Sequence, residues 1–361
     1  MILAAAEPGI LSLADALERV AARAGALDRS PRFPEQNFRD LQAAGVLCLE
    51  RYGVSAPLGE QLAVVRAVAC ADGSTARILD GHLNGVERIL ALGSEQLGDD
   101  ELADVAAGAL WVGVWGADPV LGEGDPAWLA HDDSGALVLR GTKVFCSGAG
   151  GVHRALVVAR DSDGERRLAY VDATAGLQID RAWYRASGLR ASESHRVLFT
   201  DTPVLALLGG ADELLRQPYF ARDAVRSAAV WAGLSDGLAN IVPGALAGCG
   251  VRADPHQDAA LGRMHVDAST IDLWLAHAAR CFDDGDTVTD RCGALATATR
   301  AAVAEASRGV AAEAVRACGS RALATLDDLD RRRRDLEVFL LQHRLEPQLE
   351  TLGRALRTAA L

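Results

Sequence analysis

No stretch of the chain approaches the ~20 consecutive apolar residues that a membrane-spanning helix needs, so no span is expected. Met1 to Ala6 is apolar but short, carries no basic flank and is interrupted by Glu7 and Pro8, so a targeting segment is not expected either. The seven cysteines (Cys48, Cys70, Cys146, Cys249, Cys281, Cys292, Cys318) form no CxxC pair, and an odd, dispersed set reads as reduced thiols of a cytoplasmic protein. The eight histidines include no HExxH or comparable ligand spacing, which argues against a metal site. P-loop and GxSxG patterns are both missing. Gly148, Gly150 and Gly151 follow a strand-like stretch, but the GxGxxG spacing would need a glycine where His153 stands. Positive charge is also in short supply: the net charge of -12 excludes an extended nucleic-acid surface. It does not exclude a small anionic ligand, because local arginines can outweigh the global charge.

What the sequence does have is three regions of different period. From about residue 10 to 109 apolar residues recur at helical spacing, as in Leu13, Ala16, Leu17 and Val20. Pro34 marks the start of a second helix, Gly45 its end, and Asp72-Gly73-Ser74 an N-cap cluster. From about 110 the period changes to two. Strands are expected at Leu110–Val114, Ala155–Ala159, Arg167–Val171 and Arg196–Phe199, with Ala136–Cys146 alternating on both sides of a Gly141-Thr142 turn. From about 209 the chain reads helical again, rich in Ala, Leu and Arg, with close-packing faces suited to a bundle. The expected class is α+β: an N-terminal helical domain over 1–109, a middle β-barrel or sandwich over 110–207, and a C-terminal helical bundle over 208–361.

Several local patterns occur in a fixed order. They are Phe33-Pro34-Glu35 through Gly45-Val46; Asp72 to Arg77 followed by His82; Trp115-Gly116-Ala117-Asp118-Pro119 with Gly122 to Asp125; Gly141 to Gly148; Gly188-Leu189-Arg190-Ala191-Ser192 with Val197 to Asp201; and Arg331 to Asp335. Together, over nearly the whole length, they resemble the acyl-CoA dehydrogenase family. The third looks like that family's TEP-x-x-GSD stretch, the fourth its G-x-K-x-[WFY]-I-[ST]-N strand, and the last its R-x-x-RD box.

The resemblance implies a flavin, FAD in most of the family, held between the β-domain and the bundle. It implies that Trp115, Gly116 and Ala117 meet the pyrimidine side of the flavin, that Phe145 packs on the ring, that Ser147 offers a hydroxyl to its N5 edge, and that Cys146 is among the cofactor-binding residues. The flavin would carry the hydride while the protein binds and polarises it. Two segments depart from the family pattern. R-x-x-FG is absent around residues 250–256, and Q-x-x-GG is reduced to Ala317-Cys318-Gly319-Ser320, with Gly319 the residue aligned to a cofactor contact.

Dehydrogenation in this family uses a glutamate base; the aligned residue here is His343, which near its ordinary pKa can take a proton. Asp223 lies near the alternative position used by a minority of the family. Its bland reading is a salt-bridged helix residue, and that of His343 a helix-end imidazole bonded to backbone. Arg331–Arg334 read mostly as a solvated face paired with Asp327, Asp328 and Asp330. Three functions are therefore carried forward, in this order: α,β-dehydrogenation of an acyl thioester with an atypical base; a flavin monooxygenase of the same fold; and a non-catalytic, cofactor-poor binding subunit. The partners implied are a small-molecule substrate, a second copy in a homodimer or homotetramer, and an electron-transfer protein.

Overall fold

The computed structural model of the chain describes residues 11–48, 56–248, 254–284, 289–325, 327–342 and 344–359. Five helices come first: α1 (Leu13–Arg29), α2 (Glu35–Ala43), α3 (Leu58–Ala71), α4 (Gly73–Leu92) and α5 (Glu95–Ala106). Their starts follow local chemistry. Ser12, Asp72 and Ser94 each accept a hydrogen bond from a first-turn N–H, satisfying donors the helix leaves free. α2 ends where Gly45 takes a positive φ of 72°.

Seven strands follow: β1 (Val112–Trp115), β2 (Trp128–His131), β3 (Leu137–Cys146), β4 (Arg154–Arg160), β5 (Arg166–Asp172), β6 (Leu177–Asp180) and β7 (His195–Ala211). β4 pairs with β2 at one end and with β5 along its length, and β5, β7, β3 and β2 complete the circuit. The sheet therefore closes into a small barrel, with β1 added in parallel to β4 and β6 laid on β7. β2 and β6, of four residues each, were too short to show a period. Gly141 is not a turn. β3 runs straight through it, with a register shift beside it and φ of 99°. A Cβ there would stand 2.6 Å from the Pro126 carbonyl and 2.8 Å from the Trp128 ring, so glycine lets a neighbouring segment cross closely. The return to helix also comes later than the composition indicates, because β7 continues to Ala211.

The last third holds α6 (Tyr219–Gly248), α7 (Pro255–Asp283), α8 (Thr289–Thr325), α9 (Asp327–Gln342) and α10 (Glu346–Ala359). α6 is the central rod, packed on α3, α4, α7, α8 and α9. Its middle, Val225 to Leu234, is almost wholly buried. Gly233 permits the α3 contact, since a Cβ would lie 2.1 Å from the Arg66 carbonyl. The α+β class with helices at both ends of a central sheet is the observed one. No helix among the described residues is long and apolar enough to cross a membrane.

Candidate functional site

β1 and β3 end side by side, and the chain leaving β1 runs along β3. Val144 N–H donates to the Ala117 carbonyl (3.1 Å) and Thr142 N–H to that of Asp125 (2.7 Å). This leaves Gly116, Ala117 and Asp118 exposed beside Phe145, which is 45% exposed with φ of 53°. A bulky residue held in the left-handed region is strained, and strain of this kind is kept where surrounding structure over-determines it. Here the Trp183 ring packs edge-on against Phe145 at 4.9 Å, and Trp183 Nε1–H is fixed by Glu123 (2.9 Å). Beneath the ledge, buried Lys143 donates to Asp118 (2.6 Å) and the Gly116 carbonyl (3.3 Å). Burial lowers its pKa and the Asp118 carboxylate pulls it back up. Trp115 is buried and donates its indole N–H to the Ser147 carbonyl (3.0 Å). Cys146 is buried, and burial pushes its thiol well above the usual range.

Ser147, 7% exposed, begins a chain of hydroxyls that sequence reading missed. Its Oγ lies 2.8 Å from Ser194 Oγ, which lies 2.8 Å from Ser192 Oγ. A hydroxyl both donates and accepts, so Ser147 retains hydrogen-bonding capacity for a group on the ledge. The structure thus brings Trp115, Gly116, Ala117, Phe145, Cys146 and Ser147 together. Gly319 sits elsewhere, in a kink of α8 (φ 69°, ψ 178°), a helix whose neighbours are α6, α7, α9 and α10. His343 lies outside the described residues. A flavin fits the ledge in kind: an exposed aromatic face, exposed backbone at Gly116–Ala117 for a polar ring edge, and a hydroxyl at the rim.

Asp223 is not free. α4 places Asp80, Asn84, Glu87 and Arg88 on one face at i, i+4 and i+3 steps, and α6 answers with Asp223, Arg226 and Ser227. Arg88 bonds Asp223 at 2.5 Å, Arg226 bonds Asp223 at 3.1 Å, and Glu87 receives Arg222 at 2.7 Å and Arg226 at 2.9 Å. Arg226 also donates from Nη1 to Asn84 (2.8 Å) and from Nε to Gln61 (2.7 Å). Burial raises the Asp223 carboxyl to about 7, with the two guanidinium groups pulling against that rise. Burial alone would also raise Glu87, but Arg226 and Arg222 outweigh it and hold that carboxyl low.

The arginine run is likewise internal, a correction to its reading as a solvated face. Arg331 and Arg332 are buried. Arg331 pairs with Asp328 (2.6 Å), Asp335 (3.5 Å) and the α4 cap Asp72 (3.6 Å), while Arg334 pairs with Asp28 (2.8 Å) and Asp330 (2.7 Å). Asp335 accepts the Leu189 N–H at 2.6 Å. At Gly188 a Cβ would meet the Arg334 carbonyl at 2.1 Å. The G-x-R-x-S and RD motifs are therefore the two halves of one joint, locking α9 to the loop between β6 and β7.

Barrel and flanking helices form the acyl-CoA dehydrogenase fold, and the segment 244–345 matches the family model "Acyl-CoA dehydrogenase, C-terminal domain". Among solved structures, dibenzothiophene monooxygenase from Paenibacillus sp. A11-2 superposes with a TM-score of 0.82 at 17% identity, covering 94% of this chain and 95% of that one. Butyryl-CoA dehydrogenase from Megasphaera elsdenii gives 0.81 at 17% identity, covering 95% and 97%. By sequence, dibenzothiophene monooxygenase from Rhodococcus erythropolis is 29% identical over 202 residues, 53% of this chain and 47% of that enzyme. The match therefore spans about half the length of this relative.

Proposed function

We propose that the chain is a flavin-dependent oxidoreductase and that, of the readings open to it, monooxygenation is the best supported. The observation that carries the first part is the ledge: Phe145 and Gly116–Ala117 exposed together, with the Ser147 hydroxyl at its edge. A bound flavin would supply the redox chemistry, either taking a hydride or, when reduced, delivering electrons to dioxygen. Around it Phe145 would carry the ring face, Gly116 and Ala117 the polar edge, and Ser147 would present or hold a proton at the rim. Two points favour monooxygenation. Asp223, the one acid proposed as an alternative base, is engaged by Arg88 and Arg226. The curated relatives that match by sequence carry a monooxygenase name, and the Paenibacillus enzyme has been solved with FMN bound. The second reading, dehydrogenation of an acyl thioester with His343 as base, draws on the butyryl-CoA dehydrogenase likeness.

We further propose the division into 1–109, 110–207 and 208–361, a cytoplasmic location and a homodimer or homotetramer. Val266 and Leu273, seven residues apart on α7 and both exposed, form an outward apolar stripe suited to self-association. An electron-transfer partner belongs to the dehydrogenase reading and a flavin reductase to the other. The test is to titrate the purified protein with FMN and FAD by absorbance and flavin fluorescence. Turnover is then measured with reduced flavin, oxygen and dibenzothiophene, and separately with butyryl-CoA and an electron-accepting dye. Binding lost about tenfold or more in Phe145→Ala and turnover lowered about 10²-fold or more in Ser147→Ala are expected; under the dehydrogenase reading His343→Ala lowers butyryl-CoA turnover by about 10²-fold or more as well. No binding of either flavin would sink the proposal, and turnover of butyryl-CoA alone would reverse the order of the two readings.

A further inference from the structure

A second recess lies away from the ledge, where the loop between β6 and β7 faces Pro31 and the start of the RD joint. It encloses about 620 Å³ and is lined by Arg181, Arg185, Arg190, Arg334, Tyr184 and His195, among others. A volume of this order suits a small organic molecule and exceeds what a bare ion needs. The charges do not cancel. Arg334 is neutralised by Asp28 and Asp330, and Arg181 by Glu193. Among the described residues, Arg185 donates to the Ala182 carbonyl and neither it nor Arg190 is ion-paired. Two guanidinium groups thus line the recess uncompensated in a protein whose net charge is -12. At the wall stands His195, 5% exposed, with neither ring nitrogen hydrogen-bonded. Its Nε2 lies 3.2 Å from the Glu193 carboxylate without hydrogen-bond geometry, and the Tyr184 ring is edge-on to it at 6.3 Å. A buried imidazole with both nitrogens unsatisfied is costly unless a ligand or water completes it.

We propose that this recess is a binding site for a phosphate-bearing small organic molecule, with Arg185 and Arg190 holding the phosphate, His195 completing it and Tyr184 flanking the organic part. Planar guanidinium groups match phosphate oxygens in pairs, which explains why arginine is used here. Gly150, with φ of 85° that favours glycine, lies directly beneath the Arg181 guanidinium as it reaches towards Glu193. The site does not depend on the flavin proposal, since none of its lining residues belongs to the ledge.

The test is calorimetric titration of the full chain with inorganic pyrophosphate, AMP and adenosine, with and without FMN. Saturable binding of AMP or pyrophosphate, and none of adenosine, is expected. Arg185→Ala and Arg190→Ala should each weaken it about tenfold or more, the usual worth of a hydrogen bond to a charged group. His195→Gln should weaken it less, and Arg263→Ala, on α7 and remote from the recess, should leave it unchanged. Thermal melts of each variant establish that it is folded. The assignment is overturned by no saturable binding of either anion up to about 1 mM. It is equally overturned by unchanged affinity in the folded Arg185→Ala/Arg190→Ala variant, or by displacement of the anion by FMN, which would make the recess the cofactor's own phosphate site.

Discussion

Acid should loosen this fold first at His82, a residue of the α4 motif. The imidazole is fully buried and spans two segments. Its Nε2 lies 2.9 Å from the Leu47 carbonyl, and its Nδ1 lies 3.1 Å from the Val112 N–H at the start of β1. Val112 can only donate, so Nδ1 must be bare and Nε2 must carry the hydrogen; a second proton would set two donors face to face. Burial lowers the pKa from 6.5 to about 4, with the Leu47 carbonyl pulling slightly upward. The folded state thus binds fewer protons than the unfolded state. The stabilisation is fully present above pH 6.5 and is lost as pH falls towards 4. A shift of this size is worth about 3 kcal/mol in all, of which about 2 kcal/mol disappears between pH 7 and pH 5.

His82→Leu isolates the contribution. At neutral pH it leaves two buried backbone groups unpaired and should cost about 2–5 kcal/mol. Because the variant has no imidazole to titrate, its urea unfolding curve should lose about 2 kcal/mol less than the wild type between pH 7 and pH 5. Since β1 leads directly to Trp115 and the ledge, the same acid range should weaken flavin binding in the wild type. Stability curves that fall in parallel for the two proteins, or an imidazole NMR titration centred near pH 6.5, would refute the reasoning.

Two further outcomes test the joints of the molecule. Gly188→Ala forces a methyl group against the Arg334 carbonyl and should destabilise the chain by about 3 kcal/mol or more; a wild-type urea midpoint would show that α9 yields there. Arg226→Met strands Glu87 and Asp223 in the α4–α6 interface and should cost about 3–5 kcal/mol, with part of the loss recovered by adding Glu87→Gln. Equal stability of the single and double variants would mean that Arg226 does not neutralise Glu87.

The ledge residues were named through the family resemblance, whose patterns survive there because they are short and local. Lys143, Phe145 and Ser147 lie within five residues of each other, and Gly116–Asp118 sit at the end of a strand with clear alternation. Gly319 and His343 came from the same family pattern; Gly319 lies on α8, and His343 lies outside the described residues. The Ser192–Ser194–Ser147 hydroxyl chain had no signal, since single serines near a turn are ordinary turn residues.

The sequence by itself determined the order of helices, strands and helices, the cap at Asp72 and the helix end at Gly45. Each of these follows from the conformational preferences of a few adjacent residues. Only the tertiary structure decided what the charges do. Arg88 meets Asp223 across 135 residues, Arg334 meets Asp28 across 306, and Leu189 meets Asp335 across 146. An ion pair leaves no periodic trace in the chain, and an arginine reads alike whether it faces water, a buried carboxylate or a recess. Which of the three holds is settled by the packing that brings distant segments together and removes the water between them.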